Sequence, residues 1–175
     1  KAVKVDSFAA SYSDDDKFWF GKVIDFNEEI IIFQHYTKFG KKEGKIILRR
    51  SMISEIDFDN KYSKTMAYVI SHRYEIDRKT EIPINCEDTE NWRKSFLEQV
   101  KNRTDFLTSV KVNGSFYSGF VKETDEDFFM LHCIGTDGED KGNIIFRIED
   151  VTEFSFDDRE DRKTLMLYQW KSKKQ

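Results

Sequence analysis

The chain has 175 residues, 35% of them charged and 38% hydrophobic, with a formal net charge of −4. It contains no run of 18 apolar residues to cross a bilayer as a helix, and 16 phenylalanines against a single proline exclude a disordered tail or a proline-rich linker. Two cysteines, Cys86 and Cys133, allow at most one disulfide, so composition points to a reducing, cytoplasmic setting.

In chain order, residues 8–13, 17–26, 29–39, 44–50 and 54–60 are rich in β-branched or aromatic side chains and are separated by turn residues, which predicts five short strands. Residues 64–74 read as a helix and residues 75–86, with Pro83, as an extended connector. Residues 88–104 place Trp92, Phe96, Leu97 and Val100 on one face, open with Asp88 and Glu90, and close with Lys101 and Arg103. That is a capped, dipole-matched helix. A second set of five strands is predicted over 106–112, 115–124, 127–135, 142–148 and 152–158, with Asn113-Gly114 as a two-residue hairpin turn, and residues 163–170 read as a closing helix.

The two sets are copies. Shifting the chain on itself by 98 residues aligns 8–62 with 106–160 without a gap, and 14 of the 55 positions are identical, where chance gives roughly 3. Among them are Gly21/Gly119, Gly40/Gly138, Arg49/Arg147 and Asp59/Asp157. A five-stranded unit of this size cannot bury both faces of a flat sheet, so each copy is expected to bend into a small barrel, with Gly21 and Gly119 at the bend. The expected architecture is mainly β with short helices: a first unit over 1–74, and a second over 75–175 that includes the connector and the 88–104 helix. The helix matching 88–104 would lie upstream of Lys1, as expected of an excised piece or a chain whose leader has been removed.

Several residues resemble the Sm-like (LSm, Hfq-type) superfamily. Its first motif is matched by Gly21, Val23, Asn27, Ile30 and Phe33, and again by Gly119, Val121, Asp125, Phe128 and Leu131. The second is matched by Leu48-Arg49 with Ile53, and by Phe146-Arg147 with Val151. The resemblance implies two tandem bent five-stranded barrels, each preceded by a helix. The positions at which that family reads uridine carry Ile31 and Phe129, then Arg50 and Ile148. These side chains do not offer its donors and acceptors, so the resemblance implies the fold without the family's RNA pocket.

Charge separates the copies. Residues 1–62 carry 11 basic and 11 acidic side chains, whereas residues 106–160 carry 5 and 13, a net of −8 that repels a phosphate backbone. The sharpest contrast is one hairpin, where Lys38, Lys41, Lys42 and Lys45 stand at the places of Thr136, Glu139, Asp140 and Asn143. With Arg49 and Arg50 the basic loop forms a candidate docking or polyanion face, and Asp137, Glu139 and Asp140 form a candidate acidic counterpart. The plainer reading is a pair of solvated turns.

His35, His72 and His132 lack metal-ligand spacing, and the acidic pairs sit at turns rather than across a cleft, so neither a metal, a cofactor nor catalysis is expected. Phe18, Trp19, Phe20, Phe26, Phe116, Tyr117 and Phe120 are core or interface residues before they are base-stacking platforms, since alternation buries about half of them. The sequence is therefore read as a noncatalytic tandem module for protein assembly, with itself or another protein. Nucleic-acid binding through the basic face is the alternative, and a membrane is not a partner.

Overall fold

The structure, a computed structural model, describes residues 8–12, 18–78, 81–85 and 87–173. The chain falls into two units, Lys1–Arg73 and Tyr74–Gln175. The first contains strands β1 (Phe8–Tyr12), β2 (Phe18–Phe26), β3 (Ile30–Tyr36) and β4 (Lys42–Arg49), a 3-10 turn at Arg50–Met52, strand β5 (Ile53–Asp57) and helix α1 (Lys61–Ser71). A short helix α2 (Arg73–Asp77) follows. The second unit contains α3 (Trp92–Val100), β6 (Thr108–Val112), β7 (Ser115–Thr124), β8 (Phe128–Ile134), β9 (Asp140–Arg147), a 3-10 turn at Ile148–Asp150, β10 (Val151–Phe156) and α4 (Arg159–Ser172).

Each unit is one antiparallel five-stranded sheet, ordered β4-β3-β2-β1-β5 and, in matching sense, β9-β8-β7-β6-β10. The pairing repeats residue for residue at an offset of 98. Ile30 faces Arg49 as Phe128 faces Arg147, and Val23 faces Phe33 as Val121 faces Leu131. The bulge after Val23 recurs after Val121. The first strand departs from the ungapped alignment: Phe8 lies opposite Gly21, but Thr108 lies opposite Gly119, an offset of 100. Five residues separate Tyr12 from Phe18 and three separate Val112 from Phe116, which accounts for the shift. The Phe8/Phe106 and Ser11/Ser109 identities are therefore coincidences.

Both sheets are rolled but open. Strands β4 and β5 are at opposite edges of the first sheet, yet only the 3-10 turn joins them. Five flat strands would set the edges about 19 Å apart, more than the ~14 Å that a four-residue step from Arg49 to Ile53 reaches. The sheet must curl. Among the described residues no ladder joins β4 to β5 or β9 to β10, so full barrel closure is not part of the described architecture.

Helices cover the sheets. Asn60 and Asp158 cap α1 and α4, each accepting a hydrogen bond from the backbone N–H three residues on, at Ser63 and Asp161. The preceding Asp59 and Asp157 are both left-handed, at φ 58° and 53°. These caps start the helices earlier than apolar spacing alone predicts. Where the β3–β4 hairpin meets α1, a Cβ on Gly40 (φ +72°) would sit 2.8 Å from the Ile70 Cα, and one on Gly138 (φ +76°) would sit 2.5 Å from the Leu167 carbonyl carbon. Glycine is required at both by close approach as well as by backbone angle.

Helix α3 is shorter than the predicted 88–104. Asp88 Oδ1 accepts from Asn91 N in a turn ahead of the helix, so it does not cap it, and Asn102 at φ 60° ends it. Its Phe96, Leu97 and Val100 complete a core with Phe106, Val110, Val121, Phe129, Leu131 and Val151. The predicted extended connector begins as α2 instead, because Ile76 is buried and its carbonyl accepts from Arg162 Nε at 2.7 Å. Ile82 and Ile84 then pack on the second core. Cys86 lies outside the described residues.

Candidate functional site

The basic loop of the first unit is a tight turn: Thr37 N donates to Lys41 O and Gly40 N donates to Thr37 O. Lys38, Lys41, Lys42, Lys45, Arg49 and Arg50 are all exposed. Lys38 lies over the Phe39 ring at 5.0 Å. Lys41, Lys42, Lys45 and Arg49 have no ion-pair partner among the described residues. Arg50 differs, because its Nη1 donates to the carbonyls of Asn27 (3.1 Å) and Glu28 (3.5 Å) and clamps the β2–β3 turn. Its backbone N–H bonds Glu29 O, as Ile148 N bonds Asp127 O in the other copy. Arg50 therefore has a local structural task, and Lys41, Lys42, Lys45 and Arg49 are the four of the six that carry no ion-pair partner among the described residues.

The acidic counterpart is partly paired inside its own unit. Lys171 Nζ lies 3.5 Å from Asp137 and 4.0 Å from Glu139, Lys141 pairs with Glu139 at 2.9 Å, and Asp140 contacts His132 Nε2 at 3.2 Å while accepting from Gly142 N. Asp137 and Glu139 therefore have lysine partners within their own unit, which weakens the drive for docking on the lysine loop.

The β4 edge gives the cationic residues a backbone context. The Arg50–Glu29 bond fixes the phase of the β3–β4 ladder, so 31/48 and 33/46 are the mutually bonded pairs while Lys45, Ile47 and Arg49 lie at the intervening positions. Because β4 is terminal in the sheet, the N–H and C=O groups of those three residues face away from β3. The Ile47 side chain is 63% exposed.

The inner face of the first sheet was not singled out as a site from sequence. Phe33 and Leu48 are buried there with Val23, Ile31, Ile46 and Ile53 against them, but Ile56 and Phe58 remain 43% and 50% exposed. A groove of about 330 Å³ opens there, lined by Ile31, Arg50, Ile53, Ser54, Glu55 and Ile56. In the second unit α3 fills the matching place.

The histidines sit on opposite strand faces, with His35 edge-on to Trp19 and near Glu43, and His132 bonded to Asn143. Among the described residues no group of three or more His, Cys, Asp or Glu side chains is placed to hold a metal. Of the aromatics, Phe20 and Phe120 are buried, Trp19 and Tyr117 half-buried, and Phe26 and Phe116 exposed. The side chain of Phe18 lies outside the described residues.

Among the described residues the one strongly perturbed acid is Asp161, in the first turn of α4 and 4% exposed. Ser109 Oγ donates to its Oδ1 at 2.8 Å and stands 2.5 Å from Ser118 Oγ, while Oδ2 is buried without a hydrogen-bond partner. Desolvation pushes its pKa up to about 6 against the lowering effect of the Ser109 bond. A substrate cannot reach a carboxyl so enclosed. Asn27 and Asp125, which occupy one place in the two copies, each cap a β2–β3-type turn by accepting two backbone N–H bonds, and these bonds hold the Asp125 carboxyl below the usual range. Compared with known proteins, the chain matches no protein-family model and no curated protein.

Proposed function

We propose that the chain is a noncatalytic tandem module of Sm-like type, each rolled sheet standing for a small five-stranded barrel, and that it works in protein assembly by adding a strand at the β4 edge. The observation that carries this reading is the outward-facing backbone of Lys45, Ile47 and Arg49 on a terminal strand eight residues long. Unpaired edges of this kind recruit strands, and a second copy of this chain supplies complementary open edges. Three cations along the edge set the register by repelling a misplaced basic strand.

The test is sedimentation of the full chain over a concentration series, with Ile47→Pro as the variant. Proline at an edge position removes an outward N–H without breaking the ladder to β3. The reading expects concentration-dependent association that Ile47→Pro abolishes while the circular dichroism spectrum is retained. A wild-type chain that stays monomeric throughout, or a variant that associates equally well, contradicts it.

Polyanion binding through Lys41, Lys42, Lys45 and Arg49 is the second reading, favoured by the absence of ion-pair partners for these residues among the described residues. It replaces the six-residue face with four, and a steep salt dependence distinguishes it.

A further inference from the structure

The terminal strands β4 and β9 hold the same place in the repeat, but their polar side chains are engaged differently. In β9, Arg147 Nη1 pairs with Glu149 at 2.8 Å and its guanidinium lies 5.5 Å from the Phe128 ring, while Asn143 Oδ1 lies 2.9 Å from His132 Nδ1. At the 98-residue offset those partners are replaced: Ser51 stands for Glu149, Ile30 for Phe128 and Gln34 for His132. Gln34 Nε2 donates instead to the Gly44 carbonyl at 2.6 Å. Lys45 and Arg49 are left without an ion-pair partner among the described residues, one on each side of the exposed Ile47. Steps of two residues put these three side chains about 7 Å apart on one face of the sheet. In the second unit, where the helix and connector ahead of the sheet are present, β9 is terminal too among the described residues, so elements ahead of the sheet do not cover this edge in the copy where they are seen.

Resting on the strand-addition reading above, we infer that the strand for which the β4 edge is built is an acidic segment of a partner protein, with a carboxylate two residues to either side of a central aliphatic side chain. In register, the carboxylates face Lys45 and Arg49 and the aliphatic residue covers Ile47, while the partner's backbone meets the outward N–H and C=O groups of the same three residues. A second copy matches this edge less well. Its β4, centred on Ile47, would set Lys45 opposite Arg49, and its β9, centred on Ile145, would set Lys45 opposite Arg147. Its β5 and β10 lack a carboxylate on both sides of an aliphatic residue at alternate positions. A nucleic acid would use the cations alone, whereas Ile47 and the outward carbonyls between them suit only a peptide strand.

The experiment titrates the dilute 175-residue chain at low salt with capped synthetic peptides, threonine-rich around a central valine, in which glutamate, glutamine or lysine stands two residues to either side. Saturable binding of the glutamate peptide at about 1 mM or below is expected, about fivefold tighter than the glutamine peptide from two cross-strand ion pairs, with no binding of the lysine peptide. Amide exchange should slow at Lys45, Ile47 and Arg49 and stay unchanged at Asn143, Ile145 and Arg147. Ile47→Pro should abolish binding, and Ser51→Glu, which gives Arg49 the partner that Arg147 has, should weaken it by about twofold. Joint Lys45→Glu and Arg49→Glu substitution should invert the preference so that the lysine peptide binds, a result that loss of folding cannot imitate. Equal affinity for the glutamate and glutamine peptides, both lost with Ile47→Pro, would leave strand addition standing and overturn the acidic preference. Binding that survives Ile47→Pro, binding of polyphosphate but of no peptide, or no binding of any peptide, as for an edge that its charges only guard, each overturns the inference.

Discussion

Phe96 stacks on Phe154 at 4.5 Å, whereas Ile56, which holds the place of Phe154 in the first unit, is 43% exposed. The same sheet face is a finished core in one copy and an open surface in the other, so the copies should answer differently to loss of the covering helix. Phe96→Ala should destabilise the second unit by about 3–5 kcal/mol, the usual cost of deleting a buried phenyl ring. Urea unfolding followed by amide signals assigned to each unit is the measurement. The first unit's midpoint should not move.

Asp161 predicts a pH dependence. Its pKa is raised to about 6 in the folded chain from 3.8, so folding takes up a proton between these values. Stability is therefore lower above pH 6 and rises as pH falls toward 4, by up to about 3 kcal/mol at ~1.4 kcal/mol per pKa step. The Asp161→Ser variant, which copies Ser63 of the first unit, should remove this component. The difference between the Tm–pH curves of wild type and variant from pH 8 to 5 checks it, and a constant difference would show that the carboxyl is ionised throughout.

Gly138 and Gly142 separate two reasons for glycine. Both have positive φ, but a Cβ on Gly142 meets nothing within 4 Å, whereas one on Gly138 runs into the backbone of α4. Gly142→Ala should cost about 1–2 kcal/mol from backbone angle alone, and Gly138→Ala a further ~1–3 kcal/mol from overpacking. Equal midpoints in denaturant would argue against hairpin-to-helix contact.

The basic edge is tested by reversing Lys41 and Lys42 to Glu and titrating a polyphosphate at several salt concentrations. If the edge binds polyanions, wild-type affinity falls steeply with salt and the double variant loses both the affinity and the slope. Two flat titrations would assign these lysines to solvated turns.

Most of the strand plan was legible because alternation and turn glycines are local signals, and the 98-residue repeat doubled each of them. The first-strand offset was not, since Phe8/Phe106 is an identity of type without an identity of place. It takes the pairing of Phe8 with Gly21 and of Thr108 with Gly119 to see it. The lysine loop was legible as a charge contrast, but Arg50 looked like part of it until its guanidinium was found on the Asn27 and Glu28 carbonyls. Compensation of Asp137 by Lys171, 34 residues away, is long-range and leaves no mark on local composition.

Amide hydrogen exchange measured on the dilute 175-residue chain tests most directly whether one fold is used twice with an open β4 edge. The account predicts slow exchange at Ile46 and Leu48 with fast exchange at Lys45, Ile47 and Arg49, and the same alternation 98 residues on, at Ile144 and Phe146 against Asn143, Ile145 and Arg147. Protection at Lys45, Ile47 and Arg49 under monomeric conditions, or alternation out of step between the two strands, would contradict it.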